Sequence, residues 1–300
     1  MSAPLAWDIE GRIWPHREAT RFVDAAGVRW LIQETGNGPP LLLLHGTGAS
    51  AHSWRGVMPA LADRFAVIAP DLPGHGFTRG RPSGGLTLMG MAKAISDLLA
   101  ALDRKPVLIA GHSAGTAIAL QMAHEKLTEA PIVGFNSAIM PFEGLAARIF
   151  PTMAKMLFVN PFVPGIFAHM ARVPGETARF LKKATNSRID TQGLRCYEAL
   201  FGNSRHCGGA LEMMARWDLA SLERALPGIG NRVLLVHSRG DSAVPLSSVE
   251  QAAKLLPDCR LEVLPKLGHL AHEEEPATAA RLINEFVQLP AREAPSEEPV

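Results

Sequence analysis

Cysteine is scarce in this sequence: Cys196, Cys207 and Cys259 are the only three in 300 residues. So few, and an odd number, argue against a disulfide framework and fit a reducing compartment. None of the three stands at a metal-ligand spacing and no metal-ligand cluster is seen, so no metal is expected, and the chemistry read below requires no cofactor. An excess of charge of one sign is also lacking. Thirty Lys and Arg against 29 Asp and Glu leave a net charge of +1, which removes the electrostatic case for nucleic acid. No apolar run reaches the roughly 20 residues that span a bilayer. The longest such tract, 156–170, is interrupted by Asn160, Pro161 and Pro164. Residues 1–17 carry no apolar core of a secretory signal. A cytoplasmic protein is expected, with peripheral membrane contact through the Phe-bearing stretch 158–167 as a secondary expectation.

What is present is an ordered alternation. Strand-like runs fall at 21–24, 28–35, 40–44, 65–69, 107–110, 131–135, 232–237 and 260–264. Helical patterns lie at 54–62, 86–102, 117–125, 249–256 and 277–287. Continuous apolar runs such as Leu41 to Leu44 suit strands buried on both faces. Strands alternating with helices imply an α/β fold, a mainly parallel sheet of about eight strands covered on both sides. Residues 140–226 break the pattern: they are helix-like, rich in Met and Phe, and hold no convincing strand. The expected organisation is a core of 20–139 and 227–290, a helical cap of 140–226, an N-terminal extension of 1–19 and a disordered Pro- and Glu-rich tail of 291–300. An insertion at that point would lie over the carboxyl ends of the strands, where open α/β sheets bind ligands.

The chemistry is signalled by Gly111-His112-Ser113-Ala114-Gly115, set between an apolar run and a helical one. G-x-S-x-G between strand and helix is the nucleophile elbow of α/β-hydrolases. A serine needs a base, and the base needs an acid to fix its tautomer. In this fold they come after the serine in the order acid, then histidine. The next strand end, Phe135-Asn136-Ser137, offers no carboxylate. The strand after the cap runs out at Gly240-Asp241, which makes Asp241 the acid. The last strand runs out at Gly268-His269, which makes His269 the base, with His272 as its competitor. The glycine-flanked loop His45-Gly46-Thr47-Gly48 comes after a strand end and supplies an oxyanion donor: the N–H groups of Thr47 and Ala114 are the expected pair. His45, Gly46 and His112 are read as pocket or support residues, and His75 likewise, rather than proton-transferring groups. The bland alternatives are a small residue in a turn for Ser113, a turn aspartate for Asp241 and a surface loop histidine for His269.

Taken together, His45 to Gly48, Asp71-Leu72-Pro73-Gly74-His75-Gly76, 111–115, Gly240-Asp241 and Gly268-His269 resemble the α/β-hydrolase superfamily over residues 20–290. Narrower stretches are similar to the BchO group of magnesium-chelatase accessory proteins: WPHREA at 14–19, LLLLHGTGASAHSW at 41–54, Phe77 after the glycine-rich turn, and NSRHCGGALEMMARWDL at 203–219. That resemblance implies a role in bacteriochlorophyll biosynthesis near magnesium insertion into protoporphyrin IX, an apolar substrate such as a porphyrin, and contact with magnesium chelatase. Three functions are compatible with these features: a serine hydrolase of ester, amide or thioester bonds, a non-enzymatic porphyrin-binding accessory protein, and a generic carboxylesterase.

Overall fold

The computed structural model describes residues 2–141, 160 and 162–288. The tail at 291–300 and part of the tract 156–170 lie outside the described residues. Among the described residues nine strands form one sheet: β1 Thr20–Ala25, β2 Val28–Thr35, β3 Pro40–Leu44, β4 Ala66–Pro70, β5 Arg79–Gly80, β6 Leu108–His112, β7 Ile132–Phe135, β8 Val233–Ser238 and β9 Cys259–Leu264. Their order is β1-β2-β4-β3-β6-β7-β8-β9, with β5 on β2. β2 is antiparallel to β1, β4 and β5, and every pairing from β4 to β9 is parallel. β5 has only two residues, too short to leave a periodic pattern in the sequence.

Alternation along β3 decides which side of the sheet each residue serves. Leu42 and Leu44 join a core built with α2 (Leu88–Ala101), α3 (Ala114–His124) and α9 (Leu246–Leu255). Leu41 and Leu43 join the opposite core with α1 (Met58–Ala62) and α11 (Pro276–Gln288). Leu5 and Trp14 of the N-terminal extension are buried in this second core, and Trp14 meets Phe77 edge-on at 4.8 Å. Fully apolar central strands thus sit between two helical layers, as a parallel sheet requires.

One helix differs from its sequence pattern. The expected helix over 54–62 is instead a 3-10 turn at Ala51–Trp54 followed by α1. Pro59 has no N–H to give to the carbonyl of Arg55. That carbonyl accepts from His16 Nε2 at 2.7 Å, which ties the extension to the break.

Between β7 and β8 the described residues form α4 (Val163–Ala171), α5 (Glu176–Thr185), α6 (Thr191–Phe201), α7 (Ser204–Arg216) and α8 (Leu219–Ala225). Asp190 caps α6 by accepting from the Gly193 amide at 2.7 Å. A buried network anchors α6 to the core. Arg55 donates to Glu273 at 2.5 Å and to Asp190 at 2.8 Å, and Tyr197 donates to the other Glu273 oxygen at 2.6 Å. Glu273 lies in α10 (Ala271–Glu274), a short helix the sequence pattern does not reveal.

Candidate active site

Ser113 comes directly after β6 and precedes the first turn of α3. Its backbone stands at φ 50° and ψ −114°, a sparsely populated region for a residue with a side chain. The turn survives because its neighbours are glycines. A Cβ on Gly111 would collide with the Thr116 amide, and one on Gly115 with the Leu44 carbonyl. The Ser113 amide donates to the Phe135 carbonyl at 2.9 Å, so β7 holds the elbow from the side.

Asp241 and His269 meet across the ends of β8 and β9. His269 Nδ1 donates to Asp241 Oδ2 at 2.8 Å. The same oxygen accepts from Asn136 Nδ2 at 2.8 Å, while Oδ1 accepts from the amides of Ala243 and Val244 at 2.7 and 2.9 Å. Burial pushes this carboxyl upward in pKa. The His269 hydrogen bond and charge, the Val244 amide and Asn136 outweigh burial and hold it below the ordinary aspartate value. Asp241 is therefore a carboxylate, and it presents an acceptor to the imidazole.

The His269 loop is clamped from two directions. His112 Nε2 donates to the His269 carbonyl at 2.9 Å. Burial, with the nearby His269 ring, lowers His112 to about 3, so it stays neutral. From the cap side, the Thr185 carbonyl accepts from the His269 amide at 2.7 Å, and Ser187 Oγ accepts from the Leu270 amide at 2.9 Å. Asn186 Nδ2 reaches the Gly240 carbonyl at 2.9 Å. The short segment 185–187, at the end of α5 and just beyond it, thereby holds both the Asp241 loop and the His269 loop.

His272 is buried against Trp54 and His112, at 4.5 and 4.3 Å between ring centroids. Asp241 bonds His269 and not His272. His237, next to last in β8, is buried. The Ser113 hydroxyl makes no hydrogen bond among the described residues. Such a contact to the base is often long before substrate binds and tightens with it.

The loop after β3 is held by its own histidine. His45 Nδ1 donates to the Gly46 carbonyl at 2.8 Å, and its Nε2 accepts from the Leu72 amide at 2.9 Å. One nitrogen donates and the other accepts, so the ring is neutral. Burial and the neighbouring His75 lower its pKa well below the usual value. Gly46 packs on the elbow: a Cβ there would stand 2.7 Å from His112 Nδ1. Among the described residues the amides of Thr47 and Ala114 donate to no protein acceptor. Two backbone N–H groups beside a serine are the parts that stabilise an oxyanion. Asp71 serves the neighbouring turn instead, accepting from the amides of Ala51 and Phe77 at 2.8 Å each. Burial pushes its carboxyl up to about 6. Among the described residues no group of three His, Cys, Asp or Glu side chains is placed to hold a metal, and all three cysteines are free.

The family model described as "Alpha/beta hydrolase family" matches residues 41–282, from β3 to α11. The chain belongs to the alpha/beta hydrolase family. This hydrolase-family chain is 41% identical, over 263 residues, to the magnesium-chelatase 30 kDa subunit of Rhodobacter capsulatus, covering 87% of its own length and 91% of that protein. It is 30% identical to the pimeloyl-acyl-carrier-protein methyl ester esterase of Aromatoleum aromaticum, covering 84% and 99% of the two chains. Among solved structures it is similar in fold to the epoxide hydrolase CorEH, with a TM-score of 0.76 at 22% identity over 89% of this chain and 97% of that one.

Two parts of the site in this hydrolase fold, Asn136 and the Thr185–Ser187 segment, carry no signal in the sequence. Asn136 directly follows β7, at a strand end that offers no carboxylate, and donates its amide to Asp241. Its φ of 46° is a backbone state that Asn tolerates better than most residues. The 185–187 contacts join segments more than 50 residues apart, and no local pattern carries them.

Proposed function

We propose that this protein is a serine hydrolase of an ester, amide or thioester, acting in or beside the magnesium-protoporphyrin step of bacteriochlorophyll biosynthesis. The observation that carries the reading is the 2.8 Å bond from His269 to the buried Asp241 carboxylate beside a serine held at φ 50°. Asp241 keeps the proton on His269 Nδ1, leaving Nε2 as the acceptor. Ser113 Oγ attacks the substrate carbonyl and loses its proton to Nε2. The amides of Thr47 and Ala114 receive the negative charge that develops on the carbonyl oxygen. His269 then protonates the leaving group, and water releases the acyl group from Ser113 by the same steps reversed. The pathway assignment is supported by the 41% identity to the magnesium-chelatase 30 kDa subunit.

That same relative favours a second reading, a porphyrin-binding accessory protein of magnesium chelatase that does no covalent chemistry. Metabolite profiling of a deletion strain carrying Ser113→Ala separates the two. The hydrolase reading expects lost bacteriochlorophyll and accumulated porphyrin precursors, with the variant protein present at wild-type level. Normal pigment in that strain supports the accessory reading and contradicts the first.

The protein is further proposed to be cytoplasmic with peripheral membrane contact. α4 turns its small residues Pro164 and Ala168 inward and leaves Phe162, Ile166 and Met170 exposed by 74%, 56% and 53%. No helix among the described residues is long and apolar enough to cross a membrane. Flotation with vesicles containing anionic lipid is expected to carry wild type and to leave Phe162→Ser/Ile166→Ser behind. Wild type remaining wholly at the bottom of the gradient contradicts membrane contact.

A further inference from the structure

The stretch 203–219 supplies nothing to the triad, yet it builds α7 into the two loops beside Ser113. Asn203 caps the helix, its Oδ1 accepting from the amides of Arg205 and His206 at 3.0 and 3.4 Å. Gly209 approaches the Asp71–Gly76 turn so closely that a Cβ would strike the Gly74 carbonyl. The buried Glu212 carboxylate pairs with both Arg81 and Arg216. Trp217 Nε1 donates to the Leu86 carbonyl at 3.0 Å. Contacts of this kind along the whole helix make α7 a fixed wall of the site.

Two side chains of that wall reach the loop that carries the Thr47 amide. His206 is buried, and its Nδ1 accepts from the Gly76 amide at 3.1 Å. Its Nε2 donates to the Gly48 carbonyl at 3.0 Å. An amide only donates and a carbonyl only accepts, so His206 is the neutral Nε2–H tautomer. Two turns further along α7, Met213 Sδ accepts from Thr47 Oγ1 at 3.6 Å. Gly46 and Gly48 flank Thr47, and Gly48 stands at φ 78°. Peptide planes next to glycine turn at little steric cost. The direction of the Thr47 amide therefore depends on anchors from outside the loop.

We propose that His206 is a positioning residue for oxyanion stabilisation: by holding the Gly48 carbonyl it fixes the loop that aims the Thr47 amide at the reacting centre. The inference rests on the hydrolase reading of the site. It gives the 203–219 motif a function in catalysis at a distance, beyond packing the cap onto the core.

The two bonds of His206 are separable by substitution. His206→Gln places an amide donor near the Nε2 position and keeps the bond to Gly48. His206→Asn places an oxygen near the Nδ1 position, keeps the bond to Gly76 and loses the one to Gly48. Each variant is tested by hydrolysis of a p-nitrophenyl ester and by amide hydrogen exchange over residues 44–50. Loss of a well-placed oxyanion donor costs about a hundredfold or more in kcat, and a misdirected one part of that. The expected result is that the Gln variant keeps kcat within about threefold and protects the loop as wild type does. The Asn variant loses at least about tenfold in kcat with KM within about twofold, and its loop exchanges faster. Equal kcat for both variants, unchanged exchange in the Asn variant, or a loss in both that tracks only their melting temperatures overturns the proposal. If wild type cleaves no ester and a fluorophosphonate leaves Ser113 unlabelled, the hydrolase reading fails. The exchange experiment still decides whether His206 holds the loop.

Discussion

Asp241→Asn is expected to lower turnover about 10⁴-fold while leaving the fold in place, the size of loss seen when a triad carboxylate becomes an amide. The local geometry dictates the reason. Asp241 Oδ1 accepts from two backbone amides, Ala243 and Val244. In the variant the amide oxygen must stay on that side, because an NH₂ group there would face two N–H donors. The new NH₂ group is then turned toward His269 Nδ1 and Asn136, whose own amide turns over to present its oxygen in place of Nδ2. The NH₂ group can only donate to His269, so Nδ1 loses its proton and the proton moves to Nε2. An Nε2–H imidazole cannot take the proton of Ser113. The cost is one of tautomer and not of packing, so the melting temperature should move far less than the rate. Steady-state hydrolysis of a p-nitrophenyl ester, alongside calorimetry, checks this. A variant within tenfold of wild type would show that Asp241 does not set the state of His269.

Acid is expected to unfold this protein at an unusually mild pH, with a midpoint between about pH 4.5 and 5.5. Seven histidines are buried and held neutral: His45, His52, His75, His112, His206, His237 and His272. Burial is the leading cause in each, and it lowers His75 to about 4 and His206 to about 3. His45 and His206 each donate through one nitrogen and accept at the other. An added proton sets N–H against N–H. A histidine whose folded pKa lies below its unfolded value near 6.5 binds fewer protons when native, so stability falls as pH drops below that value. Each such group contributes a slope of about 1.4 kcal/mol per pH unit until its folded pKa is reached. Two carboxyls oppose this. Burial raises Asp71 to about 6 and raises Glu273 despite the adjacent Arg55, and both bind protons more readily in the native state. Seven less at most two leaves about five, or roughly 7 kcal/mol per pH unit, against a total stability of roughly 5–15 kcal/mol for a domain. Urea midpoints should fall steadily from pH 7 to 5.5, and far-UV dichroism should collapse cooperatively soon after. A urea midpoint unchanged from pH 7 to 4.5 would mean that these rings take up protons in place.

Ser113, Asp241 and His269 are legible as candidates in the sequence because each lies in the loop after a strand and the strands announce themselves. Apolar runs mark β6 and β8, an alternating run marks β9, and a glycine or a turn marks the loop at each strand end. The pairing of His269 with Asp241 and not with another carboxylate comes from β8 and β9 lying side by side. Asn136 escapes a linear reading because its partnership with Asp241 comes from β7 lying beside β8, a neighbour relation that no linear pattern contains. The pattern over 54–62 places the helix too early because Pro59 counts there as an apolar residue, whereas its missing N–H decides where the helix begins. His45, His75 and His112 are read from their positions as pocket or support residues, whereas the positions of His52 and His206 carry no such signal. Their shared neutrality is a property of burial and of donor–acceptor geometry, and both appear only when 45, 76 and 206 come together in space. In the sequence the 203–219 stretch is a marker of resemblance alone; its side chains acquire a physical role only where α7 meets the Gly46–Gly48 loop.

The most direct test of the central claim, that Ser113 is a nucleophile armed by His269 and Asp241, is covalent labelling with a fluorophosphonate and then intact-mass and peptide analysis. Wild type is expected to gain one adduct, mapped to Ser113. Ser113→Ala should gain none, and Asp241→Asn should react far more slowly. A folded wild-type protein that stays unlabelled under conditions where a control serine hydrolase reacts fully, or one labelled at a residue other than Ser113, would contradict it.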